Sequence, residues 1–221
     1  MKYALIEGIK SLPQKGMVGL CPMCNADLLA RCGNIKVHHW AHKNKIECDN
    51  WWETETLWHR DWKNLFPVDW QEIIHSDING EKHIADVKTP LGLVLEFQHS
   101  FLNQDERSAR ESFYNQMIWI VDGTRRKRDI IKFEKGFKTF QKTNMRNVFY
   151  IPFPEESIPK DWLFSEKIVI FDFNHYPSVG LPLAMVWKPK NTSMLQCMLI
   201  NKMALINLIT TDDFLKVLEE N

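Results

Sequence analysis

The stretch His83-Ile-Ala-Asp-Val87, followed after a short turn by Leu93-Val-Leu-Glu-Phe-Gln98, decides the reading of this chain. Read as two strands of a hairpin, it places Asp86 on the first and Glu96 and Gln98 on the second. Side chains alternate faces along a strand. Glu96 and Gln98 therefore share a face, with Leu93, Leu95 and Phe97 on the other. In the first strand Ile84, Asp86 and Lys88 lie opposite Ala85 and Val87. Two carboxylates on adjacent strands at the edge of an apolar sheet are poor core material and good ligands for a hard divalent cation. The pair points towards a metal-dependent hydrolase.

Working outward, the hairpin sits in a run of alternating strands and helices. Segments 68–76 and 82–88 read as strands joined through Asn79-Gly80, a strong hairpin turn. A helix is expected from Asn103, whose side chain suits an N-cap. On it Arg107, Arg110 and Tyr114 fall on one face. Met117 to Val121 is a short apolar run of the kind buried on both sides, and 129–142 reads as a basic amphipathic helix. Further strands are expected at 147–151, 168–173, 183–188 and 194–200, then a short C-terminal helix capped at Thr210 or Thr211. Before the hairpin, 53–65 reads as a helix with an apolar stripe of Trp58, Trp62 and Leu65. Glu55, His59 and Lys63 follow at i, i+4 and i+8 and form a polar ridge. Taken alone, that ridge is a solvent-facing ladder of ion pairs.

The chain has 221 residues, five of them cysteine, and four of those cysteines precede residue 50. Cys21-Pro-Met-Cys24 has the form of a zinc knuckle, and His38-His-Trp-Ala-His42 and Cys48 follow within reach. Residues 31–37 read as a hairpin turning at Gly33-Asn34. The expected ligand set is Cys21, Cys24, His42 and Cys48, with His39 as substitute and Cys32 as spare. A filled set leaves no open position for water, so a structural zinc is expected; the alternative is scattered buried cysteines without metal. The expected organisation is a zinc-binding lobe over 1–50 and an α/β domain over 51–221. Six of the nine tryptophans lie between residues 40 and 70. Their expected use is to seal a small lobe that has little core of its own.

Composition narrows the function classes. A hydrophobic fraction of 44% and a charged fraction of 25% are those of an ordinary globular protein. The formal net charge is zero, which counts mildly against a nucleic-acid binder. Locally, however, Arg125-Arg-Lys-Arg128 is followed by Lys132, Lys135, Lys138 and Lys142. A solvated helix face explains this patch as well as an anion-binding one does. No signal peptide and no apolar run of membrane-spanning length is visible, so a cytoplasmic location without membrane contact is expected.

Cys-Pro-x-Cys, His-Trp-Ala-His, Glu-x-x-x-His-x-x-x-Lys, Ala-Asp-Val, Glu-Phe-Gln-x-Ser and Arg-x-x-x-Tyr occur here in that order, followed by Ile-Trp-Ile-Val-Asp. The series resembles the competence-protein CoiA-like nucleases, a branch of the PD-(D/E)XK nuclease superfamily. The resemblance implies a restriction-endonuclease-like mixed central sheet flanked by helices and Mg2+- or Mn2+-dependent hydrolysis of DNA. It implies metal-binding acids at Asp86 and Glu96, with Glu55 as a further ligand, and the third motif residue at Gln98. Helical contributions would come from Glu55, His59 and Lys63. Ser100 closes the Glu-x-Gln-x-Ser motif, and Arg110 and Tyr114 match the Arg-x-x-x-Tyr pair that would bind substrate. Glutamine stands at the superfamily's usual lysine, so the positive charge is expected from Lys63, with Gln98 orienting water. DNA uptake and recombination, or defence against foreign DNA, is the implied setting. Two other readings stay open: an inactive nucleic-acid-binding module, and a scaffold whose zinc lobe docks a partner protein.

Overall fold

The computed structural model describes residues 1–44, 48–174, 183–190, 192–211 and 214. They fall in two compact units, Met1–Lys88 and Thr89–Asn221, so the expected boundary at residue 50 falls inside the first. The chain is mixed α/β, with five α-helices among the described residues, none long and apolar enough to cross a membrane.

The first unit opens with an antiparallel sheet of β1 (Ala4–Ile6), β2 (Ile9–Ser11), β3 (Val18–Leu20), β4 (Asp27–Arg31) and β5 (His39–His42), in the order β2-β1-β3-β4-β5. Residues 1–20 carry too short a pattern to announce these strands, and no element was expected there. The hairpin expected over 31–37 with a turn at Gly33-Asn34 is not formed: residues 32–38 are instead a seven-residue loop between β4 and β5, with Arg31 opposite His39. One face of this sheet packs Ala4, Cys21, Leu28 and Trp40 against Met1, and that small core also holds partly buried Cys48.

Next comes α1 (Leu57–Lys63), shorter than the 53–65 expected. Thr56 stops it from beginning earlier, because its hydroxyl caps the His59 amide while His59 reaches back to the Thr56 amide. The expected apolar stripe is also corrected. Trp62 is fully buried, but Leu65 is 37% exposed, while the polar His59 and Lys63 are buried. A 3-10 turn (Val68–Trp70) takes the start of the expected strand, which is β6 (Gln71–Ser76). It pairs antiparallel with β7 (Lys82–Lys88). Burial in β7 alternates as expected, with His83, Ala85 and Val87 inward and Asp86 on the other face.

In the second unit, β8 (Val94–Gln98), α2 (Gln104–Phe113) and β9 (Met117–Asp122) form a βαβ motif whose strands pair in parallel. Asn103 caps α2 as expected, accepting from the Glu106 amide at 2.8 Å. There follow α3 (Lys127–Phe137), β10 (Gln141–Lys142), β11 (Val148–Ile151), α4 (Pro154–Ser157), β12 (Ile168–Asp172), β13 (Leu183–Trp187), β14 (Leu195–Ile200) and α5 (Lys202–Thr210). Within this unit the strands run β10-β11-β14-β13-β12-β9-β8, and β12 pairs with β9 in parallel. Parallel strands are covered on both faces, and every residue of β8 and β9 is buried. Glu96 is therefore 5% exposed and Gln98 1%, so neither stands at an exposed edge.

A helix over Lys202–Thr210, capped by Asn201, was not anticipated. The helix expected after Thr210 or Thr211 lies almost wholly outside the described residues.

Gly136 lets α3 pack against α4. A Cβ there would lie 2.0 Å from Ser157 Oγ and 2.9 Å from Ser157 Cα. Alanine in a helix is favoured over glycine by about 1 kcal/mol, yet Gly136→Ala is expected to destabilise the chain by about 1–3 kcal/mol through overpacking. Chemical denaturation of the purified variant measures the sign.

Candidate functional site

Two clusters stand in the first unit and one group in the second. Cys21 follows β3, and its turn is closed by the Asn25 amide donating to the Cys21 carbonyl at 2.9 Å, with Asn25 at φ 57°. His42 ends β5. The ligand atoms of Cys21, Cys24, His42 and Cys48 all lie within 4.8 Å of one another, and this set is the sequence-derived one. Cys21 Sγ and Cys48 Sγ are 3.6 Å apart, and Cys24 Sγ and His42 Nε2 are 3.3 Å apart. Zinc bonds of about 2.3 Å to sulfur and 2.0–2.1 Å to nitrogen, in a tetrahedron, give edges of about 3.5–3.8 Å. The cluster is thus compatible with a structural zinc. Burial and the neighbouring thiols drive the Cys48 thiol well above its ordinary pKa. Thiolates this close need a cation to coexist. His39 is outside the set, its Nδ1 bonded to the Val37 carbonyl at 2.8 Å.

The second cluster surrounds Lys63. Its Nζ lies 2.8 Å from Asp86, 3.2 Å from Glu72 and 3.4 Å from Glu55. The polar ridge of α1 therefore points inward. Burial opposes the Lys63 charge, but the carboxylates, Asp86 foremost, outweigh it and hold the ammonium well above its ordinary pKa. Glu55 also pairs with Arg60. His59 serves the helix cap, its Nδ1 2.9 Å from Thr56 Oγ1. Asp86 is the acid of this cluster that solvent reaches, with 22% of its side chain exposed against 5–6% for the other two.

Glu72 was missed in the sequence. Gln71 pairs with Val87 and Ile73 with Ala85, which sets Glu72 across from Asp86. Like charges opposite one another repel, and Lys63 bridges them. The Glu72 carboxylate also accepts from the Lys2 amide at 2.7 Å and the Tyr3 amide at 3.0 Å. Its backbone is left-handed, at φ 48°, a strained state for a non-glycine residue. Burial alone would raise its pKa; Lys63 and the two amides lower it to about 2.

His83 stacks on Trp51 with centroids 3.3 Å apart. Its Nδ1 lies 2.8 Å from Asp49 and its Nε2 3.0 Å from Glu81. Burial opposes its charge, but these acids raise its pKa overall.

In the second unit Arg110 reaches Glu96 at 3.5 Å and also pairs with Glu106. Gln98 Nε2 donates to Ser100 Oγ at 3.2 Å and to its carbonyl at 3.3 Å. Arg107, Arg110 and Tyr114 are all at most 4% exposed. Arg107 clamps the Asp161 and Phe164 carbonyls. Among the described residues, no set of three or more metal-ligating side chains other than the Cys3His cluster is gathered as tightly.

Purified chain is expected to carry about one zinc by elemental analysis. Cys24→Ser should lose it together with several kcal/mol of stability, because metal affinity is folding energy here. Metal-free protein with all cysteines reactive in the native state would remove the zinc site. Glu72 makes a second, separable prediction. Its pKa is depressed from 4.5 to about 2 by folding. Its contribution, roughly 3 kcal/mol, is therefore complete above pH 4.5 and lost as pH falls towards 2. Glu72→Gln should be less stable at pH 7 and lack that acid limb. Parallel stability curves for the two proteins would refute it.

No curated protein and no solved structure shows a significant match to the chain. A family model does match, spanning β3, β4 and β5 and all four ligands of the Cys3His cluster. Over residues 10–50 the chain is similar to the N-terminal domain of competence protein CoiA.

Proposed function

We propose that this chain is a metal-dependent deoxyribonuclease acting in DNA uptake and recombination or in defence against foreign DNA. The similarity of residues 10–50 to a competence protein supports a competence-related role. The nuclease chemistry rests chiefly on one observation, the Lys63 ammonium 2.8 Å from the Asp86 carboxylate. The sequence lacks the superfamily lysine at Gln98, and a fixed cation beside the first acid supplies the charge that lysine would have given. The restriction-endonuclease-like fold, the DNA substrate and the magnesium belong to this reading.

The reading takes Asp86 and Glu96 as its two acids. Both are hard oxygen donors, the type magnesium prefers. When bound, magnesium or manganese polarises the phosphate and lowers the pKa of a coordinated water. Lys63, paired with Asp86, offsets negative charge gathering on the phosphate. Gln98, neutral and anchored on Ser100, holds an amide ready to orient water. Glu96 is paired with Arg110.

One observation favours a second reading, a nucleic-acid-binding module without cleavage. Each acid already has a cationic side chain as partner within its own unit, Asp86 in Lys63 and Glu96 in Arg110, which lessens what a dication would add there.

Supercoiled and linear duplex DNA incubated with magnesium separates the two. Wild-type chain is expected to cut, and EDTA to stop it. Asp86→Asn and Glu96→Gln should each lose on the order of 100-fold or more, the scale seen when one preorganised charge-stabilising group is removed. Gln98→Ala should lose less, and Gln98→Lys should retain some activity. A double Asp86→Asn, Glu96→Gln protein that cuts as fast as wild type would end the nuclease reading.

A further inference from the structure

The basic patch found in the sequence is not used by any of these clusters. Residues 125–146 hold nine Lys and Arg against two acids, a net +7 in a chain whose net charge is zero. Two of the nine turn inward. Arg126 pairs with Asp129 and Asp161, and Lys132 donates to the Ile158 carbonyl. The others are exposed. At 100° per residue Lys127, Arg128, Lys135 and Lys138 fall within one sector of α3 and its cap, about 100° wide. None of Lys127, Lys135 or Lys138 has an ion pair among the described residues, and Arg128 comes no nearer to an acid than 4.0 Å, at Asp129.

This arrangement is unfavourable for the chain alone. Lys135 and Lys138 repel at i, i+3. Lys127 and Arg128 stand at the N-terminal end of the helix, where the macrodipole favours anions, and Arg126 at the N-cap provides no side-chain cap. A polyanion lying along the sector relieves all three penalties at once.

We infer that the outward face of α3, carried by Lys127, Arg128, Lys135 and Lys138, is a docking surface for the phosphate backbone of duplex DNA. The inference deepens the proposed function and rests on it only for the substrate class. Three features select the occupant. The helix is about 16 Å long, and a duplex offers one phosphate charge per about 1.7 Å of its axis, so four cations each find a partner. The sector presents no aromatic ring, only Ile131 at 64% exposure, so single-strand stacking has no platform. The apolar side of α3 is already committed: Phe133 is 3% exposed, with its ring 4.7 Å from Phe173 and 5.8 Å from Phe140. A helix so anchored has no apolar face to insert into a bilayer.

The test measures binding of a fluorescein-labelled duplex to the full chain without added magnesium or manganese, between about 50 and 200 mM salt. Replacing Lys127, Arg128, Lys135 and Lys138 with glutamine should weaken binding at least tenfold at the lower salt. It should also reduce the slope of log Kd against log salt by about 3.6, at 0.9 per contact. Exchanging lysine and arginine at the same four positions should preserve the slope, which separates loss of charge from loss of fold. An unchanged slope in the glutamine variant overturns the inference and leaves the nuclease reading standing. Tighter binding of wild type to phosphatidylserine-rich vesicles than to DNA, lost in the glutamine variant, overturns it as well. The expected slope reduction in the glutamine variant, together with a wild-type chain that never cuts DNA, supports the docking surface and counts against the nuclease.

Discussion

The first unit is organised around one buried cation. Lys63 is 5% exposed and faces three carboxylates drawn from the segment before α1, from β6 and from β7. Remove the ammonium and Glu72 and Glu55 stay buried, short of one cation and left with the Lys2 and Tyr3 amides and Arg60 respectively. Breaking even a single buried pair typically costs about 3–5 kcal/mol. The same charge sets the local electrostatics: it bridges Asp86 and Glu72 across a strand pair where they would otherwise repel, and it lowers the Glu72 pKa. Glu72 carries the arrangement further, since its carboxylate also fixes the amides of Lys2 and Tyr3. The start of the chain is thereby tied to the hairpin.

The Cys3His cluster gives the same unit a second anchor of another kind. The small core around Cys21, Leu28 and Trp40 is too slight to hold five short strands on its own. Ligands from the end of β3, the end of β5 and the segment after it converge there, and a tetrahedral ion would fasten them with more energy than their packing supplies. Immediately beyond Cys48, Asp49 bonds to His83 and to the Ile84 amide at the start of the acid-bearing strand. The last ligand of one cluster and the strand of the other are thus one peptide link and one carboxylate apart.

The second unit solves burial differently. Its parallel strands leave no wet face, so the polar side chains of β8 must be satisfied from within. Arg110 serves Glu96, and Ser100 serves Gln98. Arg107, one turn away from Arg110, is spent on the Asp161 and Phe164 carbonyls and holds that loop to α2. The arginine pair that looks alike in sequence therefore divides into a structural clamp and a partner for the motif glutamate.

Much of this was legible in the sequence wherever the signal is local. The Cys3His ligands were read from spacing, because a knuckle and a following His and Cys leave few ways to build a tetrahedron. Strand parity in β7 and the Asn103 cap of α2 also follow from neighbours in the chain. Register does not. A two-residue turn at Asn79-Gly80 would set Glu72 opposite Val87. The structure closes a three-residue loop instead, with the Asp77 amide donating to Glu81 and Gly80 at φ 85°, and so sets Glu72 opposite Asp86. One residue of slip moves every side chain to the other face, and short-range pattern does not fix it. Nor does it decide which face of α1 turns inward. The apolar stripe argued for tryptophan and leucine, but pairing Lys63 with the acids of the hairpin outweighed it, because a buried carboxylate without a cation costs more than an exposed Leu65. The sequence by itself determined the Cys3His ligand set and the strand parity of β7; the tertiary structure alone decided that a lysine on a helix would stand among acids from three separate segments, since charge pairs over long separations leave no period to read.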